Sequence, residues 1–432
     1  MLDINQIRTN PEWVRERLLK RMDAVDFAPL LALDAEKRRV QTENDGLRAT
    51  RNAVSGEIAT AKTNAKNNAG GKTVDTERLV LQMQKIGGQI ADGDKKIADL
   101  ETRIYEIMSA FPNLPMDDVT PGGKENNKVV KTFGAAPKFT FKPRDHVELC
   151  TKLGLIDYER AGKISGAKSW IYTGVGAMLE WALLNYFIDF HIQNGYTFMM
   201  TPHLLNYESG FCAGQFPKFA DDVFITNFDA DITKSKFLVP TAETALINLH
   251  RGEIIPHTGL PLKYAGYSPC YRKEAGSYRT DERGMIRGYQ FNKVELFIFC
   301  APTDTAGHFR ELTNIAERLV EGLGLHYQTV ALATRDMSSA MAKTYDIEVF
   351  IPSMNGYKEV SSISACNDYQ ARRGNIRTKT ADGNVFVHTL NASGLATSRL
   401  IPAIVEQFQN ADGTVTVPPI LHKYMHGITT LK

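Results

Sequence analysis

The sequence predicts an α+β fold: an antiparallel β-sheet flanked by helices, preceded by an N-terminal antiparallel helical coiled-coil hairpin. Two observations carry the prediction. Residues 1–112 place apolar side chains at heptad spacing. Residues 113–432 instead run through successive β-branched and aromatic segments with few helices between them, which favours an antiparallel sheet over alternating βαβ units. At 432 residues, 43% hydrophobic and 23% charged, the chain has ordinary globular composition and room for two or three domains.

In the first helical arm Leu33, Val40, Leu47, Val54 and Ala61 recur every seven residues, beside a seam that is polar at Lys37, Asn44 and Arg51 before reaching Ile58. The stretch KNNAGGKTVD breaks the pattern. The second arm has Leu79, Ile86, Leu100 and Ile107 in one register and Met83, Ile90, Ile97, Ile104 and Phe111 in the other, interrupted at Gly93. Two such stripes pair as a hairpin, each arm of roughly 35 residues spanning about 50 Å. FPNLPMDDVTPGG ends the second helix with prolines. Lys37, Arg38, Arg39, Arg48, Arg51, Lys62 and Lys66 give the first arm a local basic excess, which reads as a solvated helix face or as a contact for a polyanion.

Past residue 140, SWIYTGVGAMLEWALLNYFIDFHIQNG reads as a strand or turn followed by an amphipathic helix ending at Gly195. YTFMMTP, KFLVP, KYAGYSPCYR, YQFNKVELFIFC, LHYQTVAL, IEVFIP, KEVSSIS and NVFVHTLN read as strands. A net charge of +2 excludes a global basic field. Cys150, Cys212, Cys270, Cys300 and Cys366 are odd in number and scattered, which points to reduced thiols rather than a zinc site or disulfide framework. The start MLDINQIRTNPEW is charged where a signal peptide is apolar, and no stretch is long enough to span a bilayer. A soluble, cytoplasmic protein without a membrane partner is expected. AGGKT at 69–73 lacks the first glycine of a P-loop, and GVGAML at 174–179 lacks the third glycine of a dinucleotide turn.

YRKEAGSYRTDERGMIRGYQFNKVE, residues 271–295, carries dense charge between apolar flanks. As strand sequence it puts Arg272 and Glu274 on one face. A loop with Arg279, Asp281, Glu282 and Arg283 follows, and the chain returns through Phe291 and Glu295. An arginine can fork onto phosphate, an aromatic ring can stack on a nucleobase, and a carboxylate can hold an amino group. A salt-bridged surface hairpin accounts for the same residues equally well. VPTAETALINL adds Thr241 and Glu243 beside an apolar helix start; TLNASGLATSRLIPAIVEQ adds a strand end, a glycine turn and Arg399 entering a helix.

In this order GYTFMMTP, YRKEAG…RGMIRGYQFNKVE and NASGLATSR resemble motifs 1, 2 and 3 of class II aminoacyl-tRNA synthetases, at about 195–205, 270–295 and 390–405. TAE at 241–243, KEVSSIS at 358–364 and DYQARR at 368–373 narrow the resemblance to seryl-tRNA synthetases of bacterial type. It covers the whole chain, hairpin included. The resemblance implies a tRNA-binding hairpin over 1–112 and a class II catalytic domain over 113–432. It implies a cytoplasmic homodimer with Pro202 at the motif 1 interface. The activity implied is formation of seryl-adenylate from L-serine and MgATP, then transfer to tRNA(Ser), with tRNA(Sec) a second candidate acceptor.

Residue by residue, the resemblance gives Arg272 the ATP α-phosphate and the serine carboxylate, Glu274 the adenine amino group, and Phe291 and Arg399 the two faces of adenine, with Arg399 also on the γ-phosphate. Lys273, Val360 and Ser361 complete the ATP contacts. Glu359 and Ser362 match Mg²⁺ ligands, and Arg272, Glu359 and Arg399 are the catalytic set. Thr241, Ala242, Glu243, Glu295, Asn391 and Ser393, with Arg272, match the serine site. Lys37, Arg38, Arg39, Arg48, Arg51, Lys62 and Lys66 match the arm that meets tRNA backbone. The chain departs from the family pattern at Tyr289, Phe350, Ala365, Ala392 and Ser398, where histidine, tryptophan, asparagine and two glycines are usual. A specialised paralogue, a non-catalytic tRNA-binding protein and a carrier-protein ligase are the competing readings.

Overall fold

The computed structural model describes residues 1–66, 76–227, 229, 231–274 and 284–432, without the side chains of 64–66 and 76. It divides into two compact units, Asp3–Arg15 with Ala24–Phe111, and Met1–Leu2 with Glu16–Asp23 and Pro112–Lys432.

The smaller unit is the expected helical pair, α1 (Ala28–Lys66) and α2 (Thr76–Ala110). Val40, Val54, Ile86, Ile90, Ile97 and Leu100 are buried along the seam, as knobs-into-holes packing requires. Gly93, where the repeat breaks, has a partner that explains it. Asn44 is buried opposite, its amide donating to the Ile90 carbonyl at 3.2 Å and to Asp94 Oδ1 at 2.8 Å. A Cβ at Gly93 would lie 2.1 Å from Asn44 Oδ1, so the missing side chain is the hole for the asparagine. Most of the basic residues on α1 are tied within the hairpin: Lys37 to Glu101 at 2.6 Å, Arg38 to Asp34 at 3.1 Å, Arg39 to Glu36 at 2.8 Å and Arg48 to Asp94 at 2.6 Å. Exposed pairs of this kind contribute little to stability. Arg51 and Lys62 form no ion pair among the described residues. The side chain of Lys66 and the residues AGGKT lie outside the described residues.

The larger unit is built on eight strands, β1 (Lys128–Phe133), β2 (Thr197–Met200), β3 (Leu262–Tyr271), β4 (Gln290–Cys300), β5 (Tyr327–Ala331), β6 (Lys343–Ile351), β7 (Gly356–Asn367) and β8 (His388–Ala396), in the spatial order β1-β5-β6-β7-β8-β4-β3-β2. All neighbours are antiparallel except β2 and β3. Helices α3 (Gly174–Gln193), α5 (Thr305–Gly322) and α7 (Thr397–Gln407) belong to the core layer, and the short α4 (Glu243–Leu246) and α6 (Tyr369–Gly374) to the opposite side. Alternation along β4 serves both layers. Val294, Leu296 and Ile298 join Leu183, Phe187, Leu312, Leu319 and Ile404 in the main core, while Lys293 and Glu295 point the other way, into a cavity.

Four local expectations give way to the structure. β3 stops at Tyr271, so Arg272 and Glu274 leave the strand, with Glu274 at φ 52°; Arg279, Asp281, Glu282 and Arg283 lie outside the described residues. NVFVHTLN splits between a strand of a small separate sheet (Gly383–Phe386) and β8. β8 also runs through the supposed glycine turn to Ala396, because a bulge at Gly394 and Leu395 absorbs the irregularity: Lys293 faces Ala396 while Glu295 faces Ser393. Helix α3 is apolar nearly all round rather than amphipathic, and Trp181 and Ile192 remain exposed beside buried Leu184 and Phe187. Among the described residues no helix is long and apolar enough to cross a membrane, and the five thiols are buried and unpaired.

Candidate active site

Strand register brings the polar residues together. On β4 Lys293 and Glu295 are two apart and share a face. Glu295 faces Ser393 across β8, Asn391 follows two residues on, and Ser364 of β7 faces Asn391. With Thr241, Glu243 and Arg272 these side chains line one cavity of about 340 Å³. The loop bearing Thr241 closes on the sheet over Gly266, where a Cβ would lie 3.2 Å from a Leu246 methyl group and 3.4 Å from Ala242 Cβ.

The charges around Thr241 and Glu243 are partnered. Thr241 Oγ1 donates to Glu295 Oε2 at 3.0 Å and lies 2.8 Å from Lys293 Nζ, which also pairs with Glu295. Glu243 Oε1 accepts from Gln370 Nε2 at 2.7 Å and Asn391 Nδ2 at 3.0 Å. Burial, and then the neighbouring Glu295, push the Glu243 carboxyl up to about 7, as expected for a carboxylate kept from water beside a like charge. The pocket thus offers two carboxylates to an ammonium group, two cations to a carboxylate, and the hydroxyls of Thr241, Ser364 and Ser393.

A narrow slot of about 80 Å³ shares Arg272, Lys293, Glu359 and Ser393 with this cavity and continues to Glu274, Phe291, Val360, Ser398 and Arg399. The Arg272 guanidinium lies 5.3 Å from the Phe291 ring centre, and its Nε donates to the Pro240 carbonyl at 3.2 Å. Across the slot Arg399 donates to the carbonyls of Ile286 at 3.2 Å and Glu359 at 2.7 Å, and lies 3.6 Å from the Glu359 carboxylate. Glu274 is ion-paired with Arg287. A flat ring, two guanidinium groups and a narrow opening suit a nucleobase and its phosphates.

Glu359 and Ser362 are three residues apart, which on a regular strand would place them on opposite faces. They share one here because Val360 is bulged: Glu359 faces Glu348 and Ser362 faces Asp346, and those partners are two apart on β6. Asp346 adds a buried carboxylate whose Oδ1 has no hydrogen-bond partner. Burial, and then Glu359, raise its carboxyl well above the usual range. An oxygen-only donor set with an orphaned buried carboxylate oxygen fits a hard divalent cation.

Of the residues named from sequence, Thr241, Glu243, Arg272, Glu295, Glu359, Ser362, Asn391 and Ser393 line the cavity, and Glu274, Phe291, Val360 and Arg399 the slot. Others stand apart. The Ala242 methyl packs toward Gly266, the Ser361 hydroxyl donates to the Ser393 carbonyl at 2.6 Å, and the Lys273 amide bonds to the Asp222 carbonyl at 2.8 Å. Pro202 is exposed just beyond β2. Lys293, Asp346 and Gln370 were missed. Lys293 was legible, since it stands two before Glu295 on a strand. Asp346 needed the β6–β7 register, and nothing local marks Gln370. Of the five departures from the family pattern, Ser398 alone lines the cavity or slot; Ala365, facing Leu390, and Ala392 lie in the main core.

The fold and the slot define a class of protein. Residues 226–408 match the tRNA synthetase class II core domain of the G, H, P, S and T type, and residues 1–115 match the seryl-tRNA synthetase N-terminal domain. The chain is 52% identical to serine–tRNA ligase 2 of Clostridium acetobutylicum, over 98% of this chain and 99% of the relative. It is 43% identical to the serine–tRNA ligase of Thermodesulfovibrio yellowstonii over the full length of both. The seryl-tRNA synthetase of Pyrococcus horikoshii, solved in complex with ATP, superposes with a TM-score of 0.88 at 33% identity, covering 100% of this chain and 99% of the other. The chain belongs to the seryl-tRNA synthetase family and is a serine–tRNA ligase.

Proposed function

We propose that the cavity and slot carry out adenylate formation as follows. Serine lies in the cavity with its ammonium on Glu243 and Thr241, its hydroxyl toward Glu295 and Ser393, and its carboxylate toward Arg272. ATP lies in the slot between Phe291 and Arg399, with Glu274 on the adenine amino group. The carboxylate attacks the α-phosphorus in line and pyrophosphate leaves. No general base is required, because the nucleophile is already ionised and positioning supplies the acceleration. Arg272 stabilises the charge gathering on the α-phosphoryl oxygens. Glu359 and Ser362, with Asp346 behind them, would hold Mg²⁺, which when bound neutralises phosphate charge.

The adenylate is then attacked by the terminal ribose hydroxyl of tRNA(Ser), or of tRNA(Sec) where one is present. The helical hairpin, residues 1–112, contacts the tRNA backbone through its basic arm, and residues 113–432 perform the chemistry. Arg51 and Lys62 are the cations of that arm best placed to meet phosphate, since the other described ones are already paired. The working unit is a cytoplasmic homodimer. Supporting this, edge strand β2 and helix α3 expose Met200 at 74%, Trp181 at 55% and Ile192 at 50%, apolar side chains that a second copy of the chain would cover.

The observation that carries the reading is the joining of a polar cavity lined by Thr241, Glu243, Glu295 and Ser393 to a ring-and-guanidinium slot through shared Arg272. Its test is charging of unfractionated bacterial tRNA with labelled serine, alanine and threonine in parallel. Serine attachment on the order of one turnover per second is expected, with alanine rejected about 10⁴-fold because it leaves buried polar groups unpaired. Serine-dependent pyrophosphate exchange without charging would instead identify a specialised paralogue, and neither activity a non-catalytic tRNA-binding protein.

A further inference from the structure

Beneath the nucleotide slot lies a buried carboxylate that the reaction does not use. Glu180, on α3, is 3% exposed. Its Oε1 accepts two hydrogen bonds, from Asn292 Nδ2 at 2.7 Å and from Thr397 Oγ1 at 2.6 Å. Asn292 stands between Phe291 and Lys293 on β4 and points through the sheet to the helix side. Thr397 opens α7 two residues before Arg399, and its hydroxyl also lies 3.2 Å from the Asn292 carbonyl. The second oxygen of Glu180 is buried beside the Tyr172 hydroxyl. Burial pushes this carboxyl up to about 7, so an acid is kept here at some energetic cost.

The two grips are not equivalent to ordinary core bonds. One lies next to each plate of the slot: Asn292 beside Phe291, Thr397 beside Arg399. The two plates come from separate elements, β4 and α7, and beside the direct Thr397–Asn292 contact one oxygen on a third element takes a hydrogen bond from the neighbour of each. We propose that Glu180 is a positioning residue for the nucleotide step, setting the spacing between Phe291 and Arg399 by holding their neighbours Asn292 and Thr397. The inference rests on the assignment of the slot to adenine.

Serine-dependent pyrophosphate exchange, measured separately against ATP and serine, tests it in the full-length enzyme. Glu180→Ala should raise KM for ATP about tenfold, the scale of lost hydrogen bonds to a charged group, and change KM for serine less than about twofold. Glu180→Gln keeps one oxygen able to accept both donors and should restore KM for ATP. Thr397→Val, nearly isosteric, should raise KM for ATP by a smaller factor, and it carries the test if Glu180→Ala does not fold. Phe291→Ala is the control and must itself raise KM for ATP. If it does not, the adenine assignment fails and the inference falls with it. If Phe291→Ala acts on ATP but Glu180→Ala and Thr397→Val leave KM for ATP unchanged, or raise both KM values in proportion, the positioning role is overturned while the adenine assignment stands.

Discussion

Glu243 brings acid–base behaviour to the part of the cavity proposed for the serine ammonium. Its carboxyl is lifted to about 7 by burial and by Glu295, and only its ionised form attracts the ammonium of serine. KM for serine should therefore rise as pH falls through about 7, and Glu243→Gln should weaken serine binding and flatten that profile; steady-state kinetics between mildly acidic and mildly alkaline pH decide it. Stability runs the opposite way. The folded-state value lies above the unfolded one, so the contribution of this group is fully present below the unfolded value of about 4.3 and is lost as pH rises through about 7. In thermal denaturation without serine, Glu243→Gln should lose less stability than the parent enzyme as the pH rises through that value.

Two elements are shaped by a local irregularity. In the hairpin, Gly93 is the space that Asn44 occupies, and Gly93→Ala would drive a methyl group to 2.1 Å from Asn44 Oδ1. A loss of about 1–3 kcal/mol is expected from such overpacking, read as a lower denaturant midpoint, with pyrophosphate exchange retained and tRNA charging reduced. Gly93→Ala combined with Asn44→Ala should recover part of that loss, because the obstructing atom is gone. In β7, the bulge at Val360 aligns Glu359 with Ser362. Glu359→Gln would remove the charged half of the pair that the bulge aligns. Pyrophosphate exchange should then fall by about 100-fold or more, the scale of losing an electrostatic element of a transition-state site.

At the scale of the molecule, the proposed function has the two units divide the reaction, and that division makes a prediction of its own. Arg51→Glu with Lys62→Glu should lower kcat/KM for tRNA and the salt dependence of charging while leaving serine-dependent pyrophosphate exchange unchanged. Equal loss in both assays would refute the division. The exposed apolar face of β2 and α3 carries a second expectation: Met200→Lys with Trp181→Lys should shift sedimentation from dimer toward monomer, and a parent enzyme that sediments as a monomer would remove the basis for it.

Heptad spacing alone settled the helical pair, because a stripe one helix wide can be buried only by one more helix. The strand-rich remainder likewise marked the antiparallel sheet, and the resemblance carried by the charged hairpin, TAE and the terminal glycine segment named many of the residues that line the cavity and slot. Lys293 was within reach of the same two-residue alternation that placed Glu295. What the tertiary structure alone decided has one physical origin, that chain spacing and spatial spacing separate wherever a strand bulges or two strands meet. The pairing of Glu359 with Ser362 depends on the bulge at Val360, and Asp346 joins them through β6–β7 register. The run of β8 past its glycine depends on a bulge facing β4. Gln370 on Glu243, Asn44 in the hole at Gly93 and Glu180 on Asn292 and Thr397 are long-range contacts. Local sequence leaves no trace of them because each is made by packing between elements, not by the periodicity of either one.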